Sequence, residues 1–121
     1  MSETFAVYPI TPVPKPRMTR RDRWAKRPCV LRYWAFKDEV RLRGVVVPAK
    51  CCIVFVMPMP ASWSHAKRAG MAMRPHTVKP DIDNLLKACL DAVHDSDAHI
   101  HSIQASKVWG GVGEIRIAEA T

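Results

Sequence analysis

A chain of 121 residues has room for one compact domain with a real core but not for two independent ones, so residues 1–121 are read as a single domain. The formal net charge of +8 implies a polyanionic partner, because clustered Lys and Arg gain free energy by releasing counterions, although composition alone does not separate nucleic acid from an anionic membrane. Cys29, Cys51, Cys52 and Cys89 form no Cys-x-x-Cys pair, the first residues show no basic run before an apolar one, and the apolar stretch 51–59 is far too short to cross a bilayer; free thiols in a soluble, cytoplasmic protein are expected.

In chain order, residues 5–10 are rich in β-formers and read as a first strand. Pro9, Pro12, Pro14 and Pro16 stop it, since proline fixes φ and removes a backbone donor. Residues 15–32 hold eight Lys and Arg against one acid, Asp22, and read as a mobile basic arm. Residues 33–43 place Trp34, Val40 and Leu42 among charges at roughly helical spacing and predict a helix that Gly44 ends. The continuous apolar run 51–57, bounded by Pro48 and Pro58, fits a central strand buried on both faces. Residues 62–70 predict a short helix with Ser62 as its cap.

The strongest helical signal covers residues 80–93, where Leu85, Leu86, Cys89, Leu90 and Val93 share one face and Asp81 or Asp83 supplies a capping carboxylate. Ile100, Ile103, Ala105 and Val108 suggest a strand with imperfect alternation. A turn at Gly110-Gly111 then leads to a last strand, residues 114–118, with Ile115 and Ile117 on one face. The order βαβ(α)αββ predicts an α+β domain with a mixed or antiparallel sheet packed with helices.

Charge is segregated along this order. Residues 1–50 carry twelve Lys and Arg against four acids and residues 51–80 four against none, whereas residues 81–121 carry three against seven acids. Such a distribution suits a basic surface for phosphates around a compact acidic pocket. Asp81-Ile82-Asp83 puts two carboxylates two positions apart at the mouth of the best helix, and Asp95 and Asp97 return after it. Converging carboxylates repel unless a cation neutralises them. Magnesium, which prefers oxygen ligands and keeps exchangeable waters, is the natural partner, and one or two such ions ready water for attack on a phosphodiester. Read more plainly, Asp81 and Asp83 cap a helix and Asp97 decorates a turn.

Lys87, four residues after Asp83, reaches a scissile phosphate or makes an ordinary i,i+4 ion pair. His94, His99 and His101 invite a zinc reading, but no fixed helical His pair or Cys supports it, and they are assigned to turn and strand surface. Trp34, Trp63 and Trp109 are read as core, while Trp24, amid the basic arm, is divided between stacking on exposed bases and packing within its own domain.

The string Lys79-Pro80-Asp81-Ile82-Asp83-Asn84-Leu85-Leu86-Lys87-Ala88-Cys89-Leu90-Asp91-Ala92-Val93, followed by Asp97-Ala98, resembles the signature block of RusA-type crossover junction endodeoxyribonucleases, in particular phage-type members. Ser62-Trp63-Ser64, His76-Thr77 and the Lys15-Pro16-Arg17 loop extend the resemblance upstream. It implies a homodimer of α+β subunits, in a bacterium or a phage-infected cell, that binds four-way DNA junctions. Paired nicks made with Mg2+ or Mn2+ would resolve those junctions in recombination and repair.

Asp81, Asp83 and Asp97 match the family's metal-binding acids, Lys87 matches its catalytic lysine, and Asn84 and Asp91 match positions read as structural. Ser96 and His99 depart from the family's pattern, which leaves the third ligand between Asp97 and Asp95. Lys15, Arg17, Arg20, Arg21, Arg23 and Lys79 are the expected DNA contacts. Two readings of other classes stand beside this one, a non-catalytic DNA-binding module whose acids are only caps and a zinc hydrolase acting on small substrates.

Overall fold

The computed structural model describes residues 4–17, 27–93 and 98–120. Four strands and three helices follow one another as β1 (Ala6–Tyr8), α1 (Pro28–Leu42), β2 (Lys50–Pro58), α2 (His65–Met71), α3 (Ile82–Val93), β3 (Ser102–Gly110) and β4 (Glu114–Glu119). They form an α+β domain with a mixed sheet of order β1-β4-β2-β3, in which β2 and β3 run parallel and β4 is antiparallel to both β1 and β2.

The expected elements are all present, and several differ in phase or extent. Helix α1 starts five residues before the predicted position, at Pro28, whose fixed φ suits the first helical turn and whose missing N–H has no partner to lose there. It therefore takes the end of the predicted basic arm into regular structure; residues 18–26 of that arm lie outside the described residues. Its buried face is Val30, Tyr33, Phe36 and Val40, whereas Trp34 and Leu42 point outward, Leu42 being 83% exposed. Gly44, at φ 63°, ends the helix in the left-handed conformation glycine tolerates best. Its N–H donates to Arg41 O at 3.2 Å.

The cap of α2 is Ser64 rather than Ser62: its hydroxyl accepts from the Lys67 N–H at 3.2 Å. Strand β2 is central as expected, but its two faces are unequally covered. Cys51, Ile53, Phe55 and Met57 are buried under helices, while on the other face Cys52 and Val54 are half-buried and Val56 is buried.

The covered face of the sheet carries the core. Helices α1 and α3 pack on each other and on this face, contributing Tyr33, Phe36, Val40, Leu85, Ala88, Cys89 and Ala92 against Ile53, Phe55, Ile115 and Ile117. Burial pushes the Cys89 thiol up to about 12, so it remains a neutral apolar group. All four cysteines are free thiols.

Gly110-Gly111 does not make the tight hairpin its sequence suggests. Strand β4 lies on the far side of β2 from β3, and residues 111–113 carry the chain across the end of β2. Two strand spacings are about 10 Å, within reach of a connection this short. The crossing is close: a Cβ on Gly110 would meet Val56 Cγ1 at 2.2 Å, and one on Gly113 would meet the Thr11 backbone at 2.7 Å. We expect Gly110→Ala to cost about 1–3 kcal/mol, the range for forcing extra volume into a packed region. Urea denaturation should show part of that loss recovered when Val56→Ala makes room in the same chain.

Candidate active site

After α2 the chain turns back along the outer edge of β3. Met73 N–H donates to Trp109 O, Trp109 N–H to Arg74 O and His76 N–H to Lys107 O. Residues 77–81 then leave that edge and climb to the start of α3. Asp81 directly precedes α3 and Asp83 lies in its first turn, where the unpaired N–H groups and the helix dipole favour negative charge. Both carboxylates line one open cleft of about 740 Å³, together with His76, Val78, Lys79 and Lys107.

Each acid is faced by a lysine. Lys79 Nζ donates to both Asp81 oxygens at 2.9 Å, and Lys87 Nζ lies 3.9 Å from Asp83 one turn along α3. These side chains are half or more exposed, so the pairs are weak and exchangeable. Lys107 Nζ donates elsewhere, to the carbonyl oxygens of Val78 at 2.7 Å and Pro80 at 2.8 Å.

Asp81 and Asp83 thus line the same cleft, and Lys87 stands beside Asp83. Asp97 and the alternative Asp95 lie outside the described residues, and among those residues no group of three His, Cys, Asp or Glu gathers to hold a metal. His99 and His101 do not line the cleft. Apart from buried His76, its metal-ligating side chains are carboxylates, a donor set that fits a hard, partly hydrated cation such as Mg2+ rather than zinc.

Lys15, an expected DNA contact, also makes bonds within the domain. Its ammonium holds Asp91, which Tyr33 also approaches at 3.4 Å, and its backbone N–H donates to Asn84 O at 3.0 Å. The bond to Asp91 raises the Lys15 pKa. Arg17 is exposed, its carbonyl accepting from Arg27; Arg20, Arg21, Arg23 and Trp24 lie outside the described residues.

Over residues 9–118 the chain matches the family described as endodeoxyribonuclease RusA. The chain belongs to the RusA family. Neither a curated protein nor a solved structure shows significant similarity to it. Membership implies a Holliday-junction-resolving endonuclease that acts on branched DNA. The RusA match takes in the whole cleft, and among the described residues no helix is long and apolar enough to cross a membrane.

Sequence reasoning missed two groups in this RusA cleft. Lys107 was hidden because the alternation of β3 reads as imperfect, with Val108 out of step with Ile103 and Ala105; the register puts Ile103, Ala105, Lys107 and Trp109 on the helix side. A lysine in step with apolar residues was the available signal. His76 is only 5% exposed, with its ring 4.3 Å from that of Trp109, and no sequence pattern marks its burial. Desolvation, with help from the Lys107 charge, lowers its pKa below the usual 6.5.

The folded state therefore favours neutral His76. Its contribution to stability is present above the unfolded value and is lost as pH falls below it. NMR titration should place the His76 midpoint below 6.5. Between about pH 7.5 and 5.5, His76→Gln should lose less of its denaturation midpoint than the wild-type chain.

Proposed function

We propose that the chain is a magnesium-dependent endodeoxyribonuclease, with manganese as a substitute ion, that resolves four-way junctions by paired symmetric nicks in recombination and repair. The observation that carries this reading is the pair of exposed carboxylates, Asp81 and Asp83, lining one cleft at the start of a buried helix and faced by exchangeable lysines. Family membership supplies the substrate class. Asp81, Asp83 and Asp97 would hold the ion, and when bound it supplies charge neutralisation and a readied water at the phosphodiester.

The remaining roles belong to the chain's own groups. Lys87 holds the scissile phosphate and meets the negative charge that grows on it, a task suited to an ammonium already beside Asp83. Lys79, exposed and only weakly held by Asp81, would meet a neighbouring phosphate. Arg17, Arg20, Arg21 and Arg23 contribute sequence-independent affinity. Lys15, already compensated by Asp91, contributes less than its charge suggests.

On this reading, Asp81→Asn or Asp83→Asn lowers nicking of a synthetic four-way junction by about 10²–10³-fold or more, the scale of losing a principal electrostatic group. Binding stays intact or tightens, because a charge that repels phosphate has gone. Asp97→Asn should be inactive and Asp95→Asn active; the opposite pair of results moves the third ligand to Asp95. Retained cutting in both Asp81→Asn and Asp83→Asn would sink the metal assignment.

The active unit we propose is a homodimer. Productive resolution needs two nicks related by two-fold symmetry, whereas one chain has sequence for one acidic cluster, so two copies supply matching pockets. The uncovered face of the sheet, where Phe5, Val7, Cys52 and Val54 lie among Gln104, Ser106 and Arg116, is mixed surface that a second copy would cover. Light scattering should give about twice the 13.6 kDa chain mass. Mixed dimers of wild type and Asp83→Asn should nick one strand and spare its partner.

A further inference from the structure

Strand β3 presents Ile103, Ala105, Lys107 and Trp109 to the helix layer, and Lys107 is the one charged residue of the four. Its register partner on β2 is Phe55, which is fully buried, so the lysine stem starts from the core while its ammonium reaches the cleft. There the ammonium makes two short bonds, 2.7 Å to Val78 O and 2.8 Å to Pro80 O. These carbonyls flank Lys79, and the residue after Pro80 is Asp81.

The loop needs this tie. Among the described residues no backbone–backbone hydrogen bond reaches residues 77–80, although such bonds hold the chain on either side, from His76 to Lys107 and from Leu85 to Asp81. Val78 and Lys79 are exposed and add little packing. Asp83 sits within α3 and inherits the position of that helix, whereas Asp81 stands at the junction, its carbonyl accepting from the Leu85 N–H and its amide side joined to the loop. The spacing of the two carboxylates therefore depends on how the loop is held as well as on α3.

We infer that Lys107 is a positioning residue for the acid pair: by donating to the Val78 and Pro80 carbonyls it fixes the loop that delivers Asp81 beside Asp83. The inference rests on the metal-site reading above. A lysine acting this way touches neither the ion nor the scissile phosphate. Its removal leaves one exposed and one part-buried carbonyl to water and lets the Asp81 carboxylate wander, so cation affinity falls much more than fold stability or DNA affinity. Groups that orient ligands in this manner are worth about 10–100-fold in metal affinity.

The test is calorimetric titration of the DNA-free, full-length protein with Mn2+, in wild type, Lys107→Met, Lys107→Arg and Asp83→Asn. Lys107→Met should weaken Mn2+ binding by about 10–100-fold. Its melting temperature and its junction affinity without divalent ion should stay close to wild type, and excess Mn2+ should restore nicking. Lys107→Arg, which keeps charge and donors for both carbonyls, should recover most of the loss. Should Lys107→Met fail to fold, Lys107→Gln, which keeps one donor, should show an intermediate Mn2+ affinity.

An isotherm that Asp83→Asn weakens but Lys107→Met leaves unchanged overturns the positioning role alone. A loss of junction affinity with a flatter salt dependence and unchanged Mn2+ binding makes Lys107 a phosphate contact and likewise overturns it. An isotherm that Asp83→Asn does not affect removes the metal reading itself.

Discussion

Helix α3 lies on the sheet through Leu85, Ala88, Cys89 and Ala92, each about 1% exposed or less, and the acid cleft inherits its position from that contact. The two alanines let the helix approach closely, and Leu85 fills the space beside them; rolling the helix would return to water side chains whose burial is worth about 1.5–3 kcal/mol for a leucine. A helix seated this firmly cannot choose where its first turn points. Asp83 is part of that turn and Asp81 immediately precedes it, so both stand at the positive end of the dipole, where negative charge is favoured. Packing on the covered face thus settles the electrostatics at the rim.

The lysines around the rim fall into two kinds. Lys79 and Lys87 balance Asp81 and Asp83 in pairs whose side chains are 51–83% exposed, so water competes for both partners and each pair contributes little. On the proposed reading that weakness is useful, because ions held lightly by each other would exchange at small cost for a cation and a phosphate. Lys15 and Lys107 are tied into the fold instead. Lys15 holds Asp91 and, through its N–H, the first turn of α3, while Lys107 holds the loop carbonyls. Counting basic residues overstates the charge offered to DNA, since part of it serves the domain.

The sequence was most legible where one periodicity dominated. The apolar face of α3 and the run of β2 stood out because the positions involved are nearly all apolar, and the block from Lys79 to Val93 carried the family. Phase was harder wherever amphipathic aromatics and small residues shared an element. In α1 the buried stripe runs through Tyr33 and Phe36, while Trp34, beside them in sequence, turns outward. In β3 the choice between Ala105 with Lys107 and Ser106 with Val108 was nearly balanced on hydropathy, and only pairing with β2 decides it. The crossing of β4 over β2 was illegible for a different reason: Gly110-Gly111 is equally good at making a hairpin and at letting two backbones pass close together.

Parallel pairing of β2 and β3 explains why acids, loop and lysine meet at all. Parallel neighbours cannot be joined by a tight turn, so the chain must cross over, and here the crossover contains α2, the edge segment along β3 and α3. A helix returning the chain to the start of a parallel strand has its N-terminus near the carboxyl ends of the strands, the end at which open sheets of this kind collect ligands. The loop into α3 therefore passes the later part of β3, within reach of Lys107. Asp81, Asp83, Lys87 and Lys107 all belong to this one crossover unit and its closing strand. The proline-rich segment comes from outside it but is fastened to the same helix, by Lys15 to Asn84 and Asp91. The described acids and the start of the basic stretch thus share one support, and a displacement of α3 would move both together.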